Sequence, residues 1–107
     1  SARDVALLME YAVKNTPDIV DATRYNELEF SSLSNINHDA INTNSAISSL
    51  PGLIASKTGF TDLAGGNLVV AYDAGINRPI IIAVLGSTRE GRFRDVEKLV
   101  AVSLENL

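Results

Sequence analysis

Cysteine is absent from this sequence, and His38 is its only histidine. Without cysteine, the chain has no disulfide, no thiol nucleophile and no cysteine-ligated metal. One histidine without a partner also argues against a zinc site of the His/Cys type. We therefore expect neither a metal nor another cofactor, and we interpret His38 as a loop residue. A cysteine-free chain is compatible with an oxidising compartment.

An excess of basic charge is also missing, because the net charge of the chain is −4. Proteins that bind nucleic acids usually carry a basic excess, so we expect no nucleic-acid partner. The basic residues between 89 and 98 are interspersed with acidic ones, a pattern typical of a solvated helix face. Within that stretch, Arg92 and Asp95 are three residues apart and are predicted to pair on the helix surface.

Long apolar runs are absent as well. No run reaches the length of a membrane span, and no signal peptide precedes the first helix signal. We interpret the direct start on a helix signal as an indication that the chain is a piece of a longer protein. Its 107 residues, of which 46% are hydrophobic and 21% charged, suit one globular domain over residues 1–107.

The first half of the chain predicts two helices and a small hairpin. Ser1 and Asp4 have the spacing of a capping box, and apolar residues at helical spacing then predict a helix from about residue 2 to 15. Pro17 suits the first position of a second, short helix. Residues 27–33 alternate apolar and polar, which predicts a strand. Turn residues follow at 34–39, and residues 40–44 can return antiparallel.

The second half predicts three antiparallel strands and a final helix. We expect the strands at 53–58, 67–73 and 78–87, with a short hairpin turn before the last of them. Ser87 or Thr88 is expected to cap the final helix. One face of that helix is apolar and comprises Phe93, Val96, Val100, Leu104 and Leu107. This order predicts an α+β fold, a three-stranded antiparallel sheet flanked by the N- and C-terminal helices, plus the small hairpin.

The segment with the clearest chemical character is "ASKTGFTD", residues 55–62. Lys57 supplies positive charge at the end of a strand, and the hydroxyl of Thr58 can donate to a carboxylate. Gly59 has no Cβ and lets another backbone come close. Together the three suit a peptide that adds to a sheet edge as an extra strand. The alternative is a solvated lysine followed by an ordinary Thr-Gly exit from the strand.

The surroundings of this triplet resemble the third-motif region of the low-molecular-mass penicillin-binding proteins, the serine-type D-alanyl-D-alanine carboxypeptidases. The resemblance is carried by "KTGFTDLAGGNLVVAYDAGINRPIIIAVLG" (57–86), in which Thr61, Ala64-Gly65 and two apolar strands follow the triplet as in that family. Three further segments resemble the family in the same order: "SARDVALLM" at 1–9, "NTN" at 42–44 and "RFRDVEKLV" at 92–100. Serine β-lactamases share the triplet, but Phe60-Thr61 favours the carboxypeptidases.

The resemblance implies part of a β-lactamase/transpeptidase-like fold and a role for each residue of the triplet. Lys57 matches the catalytic-site lysine that sets the electrostatic field. Thr58 matches the hydroxyl that meets the terminal carboxylate of the substrate. The strand through Gly59 and Thr61 would pair with the peptide, and the N–H of Phe60 would form one arm of an oxyanion hole.

The family also implies a reaction and its partners. A serine of an S-x-x-K motif attacks the carbonyl between the two terminal D-alanines of a peptidoglycan stem peptide, and water releases the acyl-enzyme. The resemblance therefore implies a stem peptide ending in D-Ala-D-Ala as the substrate. It also implies β-lactams as ligands of the intact protein and an extracytoplasmic location.

Two of the three family motifs are missing from this chain, which contains neither S-x-x-K nor S-x-N. The resemblance implies that both lie in an upstream part of the catalytic domain, so we expect the chain alone to be inactive. Without that part, strand 78–87 would have an unpaired edge, and we expect the chain to self-associate. The alternative is a non-catalytic peptidoglycan- or partner-binding module with the same sheet edge. Asn42, Asn44 and Asp62 are interpreted as turn residues.

Overall fold

A computed structural model describes residues 1–107. Its N-terminal half contains helices α1 (Ala2–Asn15) and α2 (Pro17–Asp21), a 3-10 turn (Ala22–Arg24), and strands β1 (Glu27–Ser31) and β2 (Asn37–Ile41). Its C-terminal half contains a 3-10 turn (Ile47–Ser49), strands β3 (Leu53–Thr61), β4 (Gly65–Asp73) and β5 (Pro79–Ser87), and helix α3 (Gly91–Glu105). None of the helices is long and apolar enough to cross a membrane.

The three long strands form an antiparallel sheet in the order β3-β4-β5. Successive side chains of a strand point to opposite faces, so β4 supplies apolar side chains to both. Val69 and Ala71 pack in the cluster that contains Met9 of α1. On the other face, the core comprises Leu68, Val70 and Tyr72 of β4 with Phe93, Val96 and Val100 of α3. The sheet therefore lies between the N- and C-terminal helices, as the sequence predicts.

Both N-terminal helices begin as predicted. The Ser1 hydroxyl accepts a hydrogen bond from the Asp4 N–H at 3.3 Å, and the Asp4 carboxylate in turn bonds the Ser1 amine and hydroxyl, which completes the capping box. Pro17 stands in the first turn of α2, where its missing N–H costs no helix hydrogen bond. The sequence pattern therefore sets the start of both helices.

The hairpin differs from the prediction in both of its strands. The first strand ends at Ser31, and the second runs over Asn37–Ile41 instead of 40–44. The reason is a tight turn in which the Ser32 N–H donates to the Ile36 carbonyl at 2.9 Å and Asn35 adopts a positive φ of 61°. His38 is consequently a strand residue instead of a loop residue. Its exposed ring stacks on Phe30, with centroids 5.2 Å apart.

Strand β3 is three residues longer than predicted, because pairing with β4 continues to Thr61 opposite Gly65. The Lys57-Thr58-Gly59 triplet therefore lies inside the strand and does not end it. Strand β4 also begins earlier than predicted, at Gly65, while β5 begins one residue later, at Pro79.

Helix α3 begins after the predicted cap. Its N-cap is Glu90, although the Thr88 hydroxyl still accepts a hydrogen bond from the Gly91 N–H at 2.8 Å. The predicted apolar face is buried at Phe93, Val96 and Val100. It is not buried near the C-terminus, where Leu104 and Leu107 are 39% and 55% exposed. The buried residues of α3 end at Val100, and Leu107 lies beyond the last residue of the helix.

Candidate functional site

Lys57 lies near the middle of β3, an outer strand of the sheet, opposite Val69 of β4. Its side chain is exposed, and its ammonium donates to the carbonyl of the next residue, Thr58, at 2.5 Å. The residue thus contributes a positive charge on the free side of an edge strand. No acidic side chain pairs with that charge, so it is available to an anionic group of a ligand.

The backbone of β3 presents donors along the same edge. The Ser56 N–H donates to the Thr23 hydroxyl at 3.0 Å, which directs it away from β4. Because backbone groups of a strand alternate in direction, the N–H groups of Thr58 and Phe60 point toward the same edge. The Ser56 hydroxyl also donates to the Thr23 carbonyl at 3.0 Å and fixes the start of this segment.

The segment before the triplet contacts it through Thr43, a residue that was not predicted to belong to the site. The Thr43 and Thr58 hydroxyl oxygens are 2.6 Å apart. Asn42 and Asn44 are turn residues, as predicted: the Asn42 side chain accepts from the Asn44 N–H, and the Asn44 side chain accepts from the Ala46 N–H. Thr43 lies between these two side-chain turns and is exposed. The Asn-Thr-Asn pattern, which favours such turns, was the only sequence signal that could have indicated an accessible threonine here.

The prediction of a surface pair between Arg92 and Asp95 is wrong. Arg92 is only 6% exposed, and its Nη1 donates to the Gly59 carbonyl at 3.0 Å. Asp95 instead accepts from the Ser87 hydroxyl at 2.6 Å. Arg92 and Asp95 do have the spacing of a helix-surface pair. The pair does not form because the first turn of α3 packs against the sheet and buries Arg92 together with Phe93. A buried guanidinium therefore supports the carbonyl of the glycine in the triplet.

Asn67 joins all three strands at the same end of the sheet. Its Oδ1 accepts from the Gly86 N–H of β5 at 3.0 Å, and its Nδ2 donates to the Gly65 carbonyl at 3.0 Å. It stands opposite Gly59 of β3, within the irregular pairing of β4 with β5 between Gly66 and Leu68. Its side chain satisfies backbone groups that the bulge leaves without a strand partner.

The space around Gly59 is large enough for a Cβ atom. A Cβ built there would have the Asn67 Cβ as its nearest neighbour, at 3.9 Å, an ordinary contact distance. By contrast, a Cβ on Gly66 would lie 2.1 Å from the Thr88 carbonyl oxygen. The fold therefore requires glycine at position 66 and does not require it at position 59.

Phe60 and Thr61 lie further along β3, toward the turn to β4. The Phe60 ring lies beneath the Arg89 guanidinium, 4.9 Å from its centroid, and is 40% exposed. The Thr61 hydroxyl accepts from the Ala64 N–H at 2.9 Å and closes the turn to β4. Asp62 is exposed in that turn, as predicted. All five candidate site residues thus lie consecutively on β3, and the backbone N–H of Phe60 points to the same edge as that of Thr58.

Two cavities border Lys57. The first, which we call the hairpin cavity, has a volume of about 320 Å³ and lies between the hairpin and β3, lined among others by Tyr25, Leu28, Ala40, Ile41, Lys57 and Thr58. The second, the helix groove, has a volume of about 340 Å³, and its apolar walls come from α1 and α2 as Val5, Leu8, Met9, Ala12, Ile19 and Val20. Lys57 thus lies between the hairpin cavity, which polar and apolar side chains line, and the largely apolar helix groove.

Sequence comparisons relate the chain to enzymes of cell-wall metabolism. The sequence profile of the D-alanyl-D-alanine carboxypeptidase family matches residues 1–89. The chain is 30% identical over 100 residues to the D-alanyl-D-alanine carboxypeptidase DacA of Escherichia coli (strain K12). That alignment covers 94% of this chain and 24% of DacA, so the chain spans about a quarter of the length of this relative.

Solved structures with the same fold are penicillin-binding proteins and a transpeptidase. Penicillin-binding protein D2 from Listeria monocytogenes, in its cefotaxime-bound form, superposes with a TM-score of 0.75 at 30% identity, covering 90% of this chain and 37% of that one. A mutant of the Streptomyces K15 DD-transpeptidase gives a TM-score of 0.79 at 25% identity, covering 100% and 43%. These matches confirm the predicted partial transpeptidase-like fold, and together with the profile they show that the chain belongs to the D-alanyl-D-alanine carboxypeptidase family.

Proposed function

We propose that this chain is the C-terminal part of the catalytic domain of a serine-type D-Ala-D-Ala carboxypeptidase and that it supplies the substrate-binding strand. The observation that carries the proposal is the Lys57-Thr58-Gly59 triplet on the unpaired edge of β3. Family membership supports the reaction class. The share of the relatives that the chain covers, 24% of DacA and 37% of the Listeria protein, supports a larger catalytic unit.

In this proposal the stem peptide adds to β3 as an antiparallel strand. Its terminal carboxylate meets the hydroxyl of Thr58, beside that of Thr43, and lies in the field of the Lys57 ammonium. A charge pair about 4 Å apart is worth about 1 kcal/mol in water and about 4 kcal/mol at an effective dielectric constant near 20. The lysine therefore contributes most when the bound peptide excludes water from the edge.

The N–H of Phe60 is the proposed chain-borne donor to the oxyanion that develops on the attacked carbonyl. Its direction toward the free edge supports that role, and removal of one such donor typically costs about 100-fold to 1,000-fold in rate. The bond from Arg92 to the Gly59 carbonyl, on the preceding residue, holds the strand in register at this point. Arg92 is thus a positioning residue that acts through the backbone.

The nucleophile and its base come from the part of the domain outside this chain. The serine would attack the carbonyl between the two terminal D-alanines, the released D-alanine would take up the proton, and water would then hydrolyse the acyl-enzyme. The helix groove beside Lys57 supports this arrangement, because Leu8 and Ile19 on its walls are 68% and 72% exposed. The missing part of the domain would cover that apolar surface. A peptidoglycan substrate would also support the proposed extracytoplasmic location of the intact protein.

Labelling with a fluorescent penicillin tests the proposal. The full-length protein should form a covalent adduct, and the 107-residue chain should form none, because it lacks the nucleophilic serine. An adduct on the isolated chain would contradict the assignment. A full-length reading frame without S-x-x-K, together with no labelling, would favour a non-catalytic peptidoglycan-binding module.

We also propose that the isolated chain self-associates. Strand β5 pairs with β4 on one side and with no strand on the other. Natural edge strands oppose pairing with proline or charged side chains. The sequence of β5 is strongly apolar and contains one such residue, Pro79, at its start. A second copy could add to this edge antiparallel about a two-fold axis.

A further inference from the structure

The hairpin cavity lies at one end of the proposed substrate strand. Its volume of about 320 Å³ is bounded by the base of the hairpin, the first 3-10 turn and the Ser56–Thr58 stretch of β3. Lys57 is the only lining residue with a formal charge, and Leu28, Ala40 and Ile41 of the hairpin supply an apolar part of the wall. The cavity therefore adjoins the edge backbone of β3 that would pair with the peptide.

The polar side chains around the cavity already have partners within the chain. The Asn42 amide donates to the carbonyls of Thr23 and Tyr25, at 2.8 and 3.0 Å. The Ser56 hydroxyl donates to the Thr23 carbonyl at 3.0 Å, and the hydroxyls of Thr43 and Thr58 bond each other. These bonds tie the hairpin base to β3 and fix the walls. The side-chain donors left free at the cavity are the Lys57 ammonium and one hydroxyl hydrogen of the Thr43–Thr58 pair. These suit the terminal carboxylate, whereas the wall of Leu28, Ala40 and Ile41 suits an uncharged apolar substituent.

The position of Thr58 identifies the substituent. This threonine lines the cavity, and in the proposed function its hydroxyl meets the terminal carboxylate. The side chain nearest to that carboxylate belongs to the C-terminal residue of the peptide. A volume of about 320 Å³ far exceeds the need of the alanine methyl group, since a whole water molecule occupies only about 30 Å³ in the liquid.

We propose that the hairpin cavity is a subsite for the side chain of the C-terminal D-residue and that it accepts uncharged apolar residues larger than alanine. The inference rests on the proposed function, because it takes the orientation of the peptide from the carboxylate at Thr58. It adds a substrate class, stem peptides that end in a D-residue such as D-leucine. It also excludes a terminal D-lysine, whose ammonium would be desolvated beside Lys57.

The test measures release of the last residue from three synthetic stem peptides by the full-length protein. The peptides end in D-Ala-D-Ala, D-Ala-D-Leu and D-Ala-D-Lys, and mass spectrometry gives kcat/KM for each. We expect D-leucine release within about tenfold of D-alanine release, and D-lysine release at least about tenfold below D-leucine. D-leucine release more than about tenfold below D-alanine would overturn the subsite while leaving the proposed function intact. No release of D-alanine would instead overturn the proposed function and the subsite with it.

Substitutions in the cavity separate the subsite from the rest of the site. Ala40→Phe fills the cavity and should reduce D-leucine release at least about tenfold while changing D-alanine release by less than about threefold. Ala101→Phe makes the same change on the exposed surface of α3 and should alter neither. An equal effect of Ala40→Phe on both peptides would refute the subsite.

A charge introduced into the wall gives an independent readout. Leu28→Glu should raise D-lysine release relative to D-leucine release at least about tenfold, because the new carboxylate can pair with the substrate ammonium. Leu28→Gln, of the same shape and without the charge, should not. An unchanged ratio in a folded Leu28→Glu protein would contradict the assignment of this cavity to the C-terminal residue.

Discussion

Replacement of Gly59 by alanine separates the requirements of the fold from those of the substrate-binding edge. The new Cβ would be 3.9 Å from the Asn67 Cβ, its nearest neighbour. It would emerge on the face of β3 that also carries the Lys57 side chain, because residues two apart share a face. The chain therefore tolerates the methyl group, whereas a peptide or a catalytic helix packed against this edge would meet it directly.

The magnitudes follow from these contacts. Where alanine fits the native backbone, the change from glycine stabilises a protein by about 0.4–1 kcal/mol, chiefly by reducing the entropy of the unfolded chain. For a domain of about 150–250 residues this raises Tm by about 1–4 °C. Forcing one methyl group into an occupied interface costs about 1–3 kcal/mol. That range corresponds to a loss of about 5-fold to 150-fold in the rate of acylation.

The assay is thermal unfolding of the full-length protein, followed by the rate of labelling with a fluorescent penicillin. Gly66→Ala is the matched control, because its Cβ would lie 2.1 Å from the Thr88 carbonyl oxygen and should destabilise the protein. We expect Gly59→Ala to keep or raise Tm and to slow labelling. A large drop in Tm at Gly59, or labelling at the rate of the unsubstituted protein, would refute the reasoning.

Two further predictions concern Arg92 and β5. Arg92→Gln should lower the free energy of unfolding by about 1.5–3 kcal/mol, because it removes a charge-assisted hydrogen bond to the Gly59 carbonyl. Arg89→Gln, at an exposed site, should cost no more than about 1 kcal/mol in denaturant titrations, and equal effects would place Arg92 on the surface after all. Self-association of the 107-residue chain should appear in light scattering across a dilution series and weaken in Leu85→Lys, since lysine on an edge strand opposes pairing. Leu63→Lys, in the exposed turn after β3, should not weaken it, and a monomer at high concentration would rule out the dimer.

Local sequence patterns predict most of the fold, because the apolar residues of each long helix and strand recur with the spacing of that element. The capping box at Ser1 and the proline at position 17 mark helix starts that do not depend on the rest of the chain. The three strands of the sheet have enough apolar residues on both faces to require cover on both. The hairpin bounds were missed because they depend on the positive φ of Asn35, which an asparagine can adopt but does not signal.

The candidate site is less predictable because its supporting contacts are distant in sequence. The triplet is visible as a motif, but Thr43 is 15 residues from Thr58, and Arg92 is 33 residues from Gly59. Spacing within one helix suggested that Arg92 would pair with Asp95. Instead, packing of α3 on the sheet buries Arg92 and brings it to the Gly59 carbonyl. The sequence of the helix alone does not predict that packing.

The central claim is that Lys57 serves the chemistry of the edge and not its stability. Its exposed side chain bonds only the adjacent carbonyl of Thr58, so Lys57→Ala should change the free energy of unfolding by no more than about 0.5 kcal/mol. The most direct measurement is the rate at which a fluorescent penicillin acylates the full-length Lys57→Ala protein, with its Tm recorded on the same sample. We predict a rate about 100-fold or more below that of the unsubstituted protein, with Tm unchanged. Near-normal labelling together with a large loss of Tm would contradict the account and make Lys57 a structural residue.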